Sequence, residues 1–339
     1  MSFVDGRTFV LDAPSSVPAN WGHGSEVLWS AGEGLVICGP QGVGKTTLAQ
    51  RLAHARAGIG EPELLGFPVQ RARGRVLYLA ADRPQQIARS ARRMVSDRDA
   101  LALEQQLVVW RGPLPFDLLR DPEALLRWVQ EQQQDVSDVF IDSLKDLVPN
   151  LASEEGGSAF NRAVGFLVTH GIEVVTLHHQ RKAKSENPRP NRLADVYGSA
   201  WITSGQGSVI CLWADAGDTL VEVAHLKQPV EAVGPLTIRH DHEQGIVRVE
   251  QRADVDGVLR ASPAGITAKQ CAHEVYGAGC GRNDVEKARR RLDHLVEIGV
   301  ADKQKRPTGR SAAEAVYLPL LAPDCPPEDL AGAVPVQAG

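Results

Sequence analysis

Residues Gly39-Pro-Gln-Gly42-Val-Gly44-Lys45-Thr46-Thr47 fill every position of a G-x-x-x-x-G-K-T phosphate-binding loop. Glycines at 39, 42 and 44 let backbone N–H groups turn inward onto phosphate oxygens. Lys45 reaches the β- and γ-phosphates, the Thr46 hydroxyl suits Mg²⁺, and Thr47 follows in the same turn. The apolar run Leu35-Val-Ile-Cys38 leads into the loop, and Thr46 to Ala57 reads as a helix after it. A helix N-terminus there adds its dipole to the anion site. The expected ligands are a nucleoside triphosphate, taken as ATP, and Mg²⁺.

Hydrolysis needs further groups. A second Mg²⁺-organising acid belongs at the end of a buried strand, and Val139-Phe-Ile-Asp142 supplies Asp142. The residue after it is Ser143, not Glu, so the carboxylate that polarises the attacking water must come from elsewhere. Asp82 is the candidate. It follows Val76-Leu-Tyr-Leu-Ala-Ala81, a strand expected beside the phosphate-loop strand, with its carboxyl end toward the nucleotide. The competing role for Asp82 is an N-cap for a helix starting near Pro84. His178 and His179 close another strand at the same edge, where a polar group can hydrogen-bond the γ-phosphate or simply be solvated.

The elements that must position these groups alternate. Strands are expected at 35–38, 75–80, 107–110, 138–142 and 173–178, with helices at 45–57, 84–95, 121–133 and 156–170. Apolar runs separated by helical patterns predict an α/β fold, a mostly parallel sheet with helices on both faces. From 208 to 250 short strands and turns predict an antiparallel extension of that sheet. The expected organisation is a loop-rich lead-in (1–33), an ATPase domain (34–250), a connector (251–261), a small domain (262–320) and a Pro/Ala/Gly-rich disordered tail (321–339).

Composition sets limits. Of 339 residues, 43% are hydrophobic and 23% charged, ordinary for a soluble globular chain. The net charge of −5 means that any nucleic-acid contact must come from local patches. Five scattered cysteines without a C-x-x-C pair argue against a disulfide framework or structural zinc, and Cys38 and Cys211 are expected to be buried thiols. Cys271, His273 and Cys280, or His240 and His242, are only weak metal candidates. No apolar run approaches the roughly 18 residues of a membrane span, and the N-terminus lacks signal-peptide character. A cytoplasmic protein with no membrane contact is the expectation.

Within 262–320 there are ten Lys/Arg and seven Asp/Glu, a local excess of three positive charges. Helices at 266–276 and 282–298 followed by a hairpin over 299–318 fit a winged helix-turn-helix. Arg289 and Arg290 on the second helix and Lys305 and Arg306 on the wing are candidate DNA contacts. The competing role is packing against a protein partner. Leu292, Leu295, Val296 and Ile298 are the expected core stripe.

The ordered set resembles the RecA-like ATPases of the DnaB and plasmid RepA helicase type. It comprises the phosphate loop, Ala81-Asp82-Arg-Pro, Val139-Phe-Ile-Asp142-Ser-Leu, Thr176-Leu-His-His179-Gln-Arg-Lys and Val223-Ala-His-Leu-Lys227-Gln-Pro-Val-Glu-Ala-Val-Gly-Pro235. The resemblance covers about residues 20 to 250. It implies that Asp82 stands at the catalytic glutamate, His179 at the γ-phosphate sensor, and Lys227 at a lysine reaching a neighbouring subunit's nucleotide. It also implies that Lys182, Lys184, Arg189 and Arg192 lie on a loop facing single-stranded DNA, and that the protein is a homo-oligomer, most simply a hexamer. Two positions depart from the family: Asp82 is one methylene shorter than Glu, and Pro229 stands where many replicative helicases carry an arginine finger. The expected function is a DNA-acting helicase or replication-type motor. An ATP-switched DNA-binding regulator and a recombination mediator are the rivals.

Overall fold

The computed structural model describes residues 3–320 apart from 133, 149, 180–192, 197, 199, 215–219, 242, 243, 253, 254, 278, 309 and 310. In chain order the first unit contains α1 (Gly6–Leu11), β1 (Ala19–His23), β2 (Glu26–Ser30), β3 (Leu35–Gly39), α2 (Lys45–Arg56), β4 (Glu63–Leu64) and β5 (Phe67–Pro68). Next come β6 (Arg75–Ala80), α3 (Pro84–Arg92), α4 (Ala100–Gln106), β7 (Leu107–Arg111), α5 (Ala124–Glu131), β8 (Val136–Asp142), α6 (Glu154–Thr169) and β9 (Glu173–His179). It closes with α7 (Trp201–Ser204), β10 (Ser208–Trp213), β11 (Leu220–Lys227), β12 (Leu236–Asp241) and β13 (Ile246–Arg252). The second unit contains α8 (Val255–Arg260), β14 (Ile266–Thr267), α9 (Ala268–Tyr276), α10 (Arg282–Glu297), β15 (Ala301–Thr308) and β16 (Ser311–Pro319). The division falls after Arg252.

Nine strands of the first unit form one sheet, in the order β13-β12-β11-β10-β3-β9-β8-β6-β7. Strands β10, β3, β9, β8, β6 and β7 are parallel. The remaining three extend the sheet antiparallel. Both faces are covered, and strand alternation divides the core. On β6, Val76, Tyr78 and Ala80 join one cluster with α2, while Leu77 and Leu79 join the other with α5 and α6. This order corrects one expectation. The strand leading to Asp82 does not lie beside β3, whose neighbours are β9 and β10. The chain runs from β3 to β6 and β7 at the far edge, then fills the gap with β8 and β9.

Two stretches expected to be irregular are ordered. The lead-in forms α1 and an antiparallel β1–β2 hairpin that turns at Gly24. Trp21 and Trp29 of this hairpin are fully buried, and their indole N–H groups donate to the carbonyls of Leu64 and Glu33. The expected connector contains α8, whose Val255 and Leu259, four apart, bury one helical face in the second core. Helix ends also tighten: α3 stops at Arg92, and α5 begins only at Ala124, after a turn over 117–123.

Beneath the sheet face, Arg56 of α2 makes a bidentate pair with Asp138 of β8 at 2.6 and 3.1 Å, both almost fully buried. Arg56 also donates to the Gln70 carbonyl and lies 5.2 Å from the Trp29 ring centroid, while Ser137 donates to Asp138. Every polar arm of this buried pair is thus engaged, as a charge removed from water requires.

In the second unit α9 starts with a Thr267–Gln270 capping box, and α10 packs Ala288, Leu292 and Leu295 into the core. Strands β14, β16 and β15 form an antiparallel sheet in that order. Ile298 is not part of the core stripe. It caps the end of α10 just before Gly299, which has φ +75, and is 55% exposed. Among the described residues no helix is long and apolar enough to cross a membrane.

Candidate nucleotide site

Helix α2 begins without a side-chain cap. Its N-cap is Gly44, in the left-handed region at φ +95. The first N–H groups of α2 therefore stay available to an anion. Glycine is needed at 44 on two counts, because a Cβ there would also lie 2.3 Å from the buried His240 ring of β12. At Gly39 a Cβ would sit 2.5 Å from the Leu212 carbonyl of β10. Arg51 of α2 donates to the Gly245 carbonyl at 2.8 Å and ties the β12–β13 turn to the same helix.

A cavity of about 340 Å³ opens over this helix start. Gln41, Gly42, Gly44, Lys45, Thr46 and Thr47 line one side, and Asp82, Asp142, Ser143, Lys145 and His179 line another. A face of α3, carrying Gln86, Ile87, Ser90 and Arg93, extends it. The volume is within the usual range for a small-molecule site. Carboxyl ends of β3, β8 and β9 and the residues after β6 thus converge at one rim, as the fold requires.

Asp142 is buried and its Oδ2 accepts hydrogen bonds from Thr46 Oγ1 and Tyr78 OH, each at 2.9 Å. Burial pushes the Asp142 carboxyl upward, opposed by these two donors and by the Lys45 charge. Burial also raises the Tyr78 hydroxyl well above its ordinary value, with the Asp142 charge adding to it. Tyr78 therefore stays a proton donor to the acid. Lys45 Nζ donates to the carbonyls of Gly39 at 3.0 Å and Pro40 at 2.6 Å. Burial lowers Lys45 to about 8. An anion beside this ammonium would reverse that shift. Thr46 and Asp142 offer the hydroxyl and carboxylate oxygens that Mg²⁺ prefers, at a spacing that lets both serve one cation.

His179 pairs in register with Gly39 and reaches the cavity, whereas His178 is fully buried behind it. Burial, and then the Lys45 and Lys145 charges, lower His179, so its imidazole is neutral near pH 7. Asp82 does not cap α3. The N-cap position is Arg83, with φ +48 and no side-chain cap bond. Asp82 instead faces the cavity and pairs with Lys145 Nζ at 2.6 Å. Tyr78 and Lys145 are the two site residues that the sequence reading missed. A tyrosine in an otherwise apolar strand signals a buried hydroxyl needing a partner. Nothing about Lys145 in the sequence singles out Asp82 as its partner.

Lys227 lies elsewhere. Strand pairing sets it opposite Val209, which is level with Val36 near the start of β3. It lines a separate cavity of about 380 Å³ with Gly32, Gly34 and Gln206, and donates to the carbonyls of Thr203 and Ser204. Lys227 is therefore at the opposite end of the sheet from the phosphate loop of its own chain. Lys182, Lys184, Arg189 and Arg192 lie outside the described residues. On α10, Arg289 and Arg290 both pair with Glu286, at 3.0 and 3.7 Å. On β15, Lys305 and Arg306 are exposed, and Arg306 donates to the Ala264 carbonyl. Cys38 and Cys211 are buried free thiols on adjacent strands. Among the described residues no group of three or more His, Cys, Asp or Glu could hold a metal ion.

A phosphate loop between strand and uncapped helix, with an acid on the Thr46 hydroxyl, on a mostly parallel RecA-like sheet, defines a P-loop nucleotide-binding ATPase fold. Residues 11–185, just over half of the chain, match the family described as AAA domain, and the chain belongs to that family of P-loop ATPases. No curated protein matches the chain.

Proposed function

We propose that this protein hydrolyses ATP and uses the cycle to act on DNA, as a helicase or replication-type motor of the RepA/DnaB kind. The observation that carries the ATPase reading is the convergence of Lys45, Thr46, Asp142, Asp82 and His179 on one cavity. The N–H groups of the loop and the Lys45 ammonium bind the β- and γ-phosphates. When bound, Mg²⁺ offsets charge on those phosphates, and Thr46 and Asp142 hold it. Asp82 accepts a hydrogen bond from the attacking water and then its proton. The bond from Pγ to the β–γ bridging oxygen breaks, and ADP leaves with the electron pair. His179 donates a hydrogen bond to a γ-phosphate oxygen and registers its loss.

The place of Lys227, at the far end of the sheet from its own phosphate loop, supports a role in a neighbouring subunit's site and hence a homo-oligomer, most simply a ring of six. In the second unit, α9, α10 and the β15–β16 hairpin fit a winged helix that meets duplex DNA. Lys182, Lys184, Arg189 and Arg192 would meet single-stranded DNA. The rival is an ATP-switched DNA-binding regulator, favoured by the engagement of Asp82 with Lys145. Phosphate release measured with and without single-stranded DNA separates the two. Stimulation by the strand supports the motor, and a measurable rate indifferent to DNA removes it.

A further inference from the structure

We propose that Lys145 is a cation supplied in cis to the γ-phosphate: it moves from Asp82 to the phosphate when a triphosphate binds, and that move releases Asp82 to orient water. The proposal deepens the ATPase reading and rests on it.

Lys145 sits in the 3-10 turn Leu144–Asp146 that follows β8 directly. A Ser143–Asp146 capping box fixes that turn, with the Ser143 hydroxyl donating to Asp146 at 3.0 Å. The root of the side chain is therefore held while its head is 42% exposed. Its Nζ touches Asp82 Oδ2 at 2.6 Å, and the cavity that receives both also holds Lys45, Thr46 and His179. The Lys145 charge acts on Lys45 and on His179, so its field already spans the phosphate loop and the end of β9.

An ion pair this exposed contributes little and is readily exchanged. A triphosphate brings several negative charges to the same cavity, and a cation aimed at the γ-phosphate gains more there as charge spreads over its oxygens in the transition state. Asp82 gains as well. While Lys145 occupies Oδ2, the carboxylate is both neutralised and partly filled as an acceptor. Once the ammonium leaves, that oxygen can take the water's hydrogen bond and proton. Water supplies the oxygen that replaces the bridging oxygen on Pγ. The role also answers the Pro229 position, where the chain carries no cation for a neighbour's phosphate.

The test uses the full chain with Mg²⁺, reading ATP and ADP affinity by calorimetry and hydrolysis in a single turnover. Lys145→Ala is expected to slow hydrolysis at least about tenfold and to weaken ATP about tenfold relative to ADP, with ADP affinity unchanged. Lys145→Arg should keep most of both. Unchanged ADP affinity confirms that the variant is folded with an intact phosphate loop. A wild-type rate and an unchanged ATP-to-ADP ratio in Lys145→Ala would overturn the proposal. A faster rate would also overturn it, by making Lys145 a restraint on Asp82 and nothing more. Asp82→Ala separates the two layers. If it hydrolyses normally, the water-orienting role of Asp82 fails. If it is inactive while Lys145→Ala is normal, only the proposal for Lys145 fails.

Discussion

Charged groups are arranged differently in the two units. In the first, three separate segments meet: Asp142 of β8 accepts from Tyr78 of β6 and from Thr46 of α2 at 2.9 Å each, while Lys45 beside Thr46 donates to the Gly39 and Pro40 carbonyls at 3.0 and 2.6 Å. In the second, Lys287, Arg289 and Arg290 pair with acids three or four residues away on the same exposed helix. The first pattern costs desolvation and is kept only by mutual hydrogen bonding. The second costs little and stabilises little. Chemistry at a fixed point requires the first kind of arrangement. A surface that meets a polyanion through counterion release can use the second, because its cations need only exchange partners.

The largest effect expected from this contrast is on catalysis. Asp82→Ala should lower the single-turnover rate by about 10²–10⁴ with little change in ADP affinity. A reduction below about tenfold would move the water-orienting role to another residue. The buried Arg56–Asp138 pair, away from the cavity, should respond in stability instead. Asp138→Ala leaves Arg56 charged and unpaired in the core and should cost about 3–5 kcal/mol in denaturant unfolding. A loss under about 1 kcal/mol would show that Arg56 finds water or another acceptor.

The pH effect is next. Burial holds Lys45 at about 8, and a bound triphosphate should return it toward its ordinary range near 10.5. Binding therefore takes up a proton in that window, and ATP affinity should fall as pH rises above about 8, by at most about tenfold per unit. For the free protein the sign is opposite. Folded Lys45 releases its proton before the unfolded chain does, so its contribution to stability improves as pH rises through the same window. Calorimetry in buffers of different ionisation enthalpy reads the proton uptake directly, and no uptake at pH 9 would contradict it.

The smallest effect is expected in the second unit. Changing Arg289 and Arg290 together to Gln should shift stability by less than about 1 kcal/mol, since both pairs are exposed. If the proposed winged helix meets duplex DNA through these two arginines, the change should reduce the salt slope of that binding by about two. An unchanged slope would remove Arg289 and Arg290 from the proposed DNA contacts.

Much of the nucleotide site was legible in the sequence because local pattern encodes it. A glycine-rich loop between strand and helix, Asp142 ending an apolar run and His179 ending another are each readable within a few residues. What sequence could not supply was long-range pairing. The β3 strand neighbours β9, not β6, because sheet order depends on how crossovers return, and no local pattern carries that. Tyr78 and Lys145 were missed for the same reason: their partners are 64 and 63 residues away. The β1–β2 hairpin escaped because β1 carries only Trp21 among small and polar residues and β2 buries Val27, Leu28 and Trp29 in a row, so neither short strand shows an alternation.

If the cavity over α2 binds and turns over ATP as proposed, loss of Lys45 should abolish the activity. Phosphate release by the full chain, compared with Lys45→Ala at saturating ATP and Mg²⁺, should fall by at least about a hundredfold. A rate equal to that of the wild type would contradict the site assignment itself.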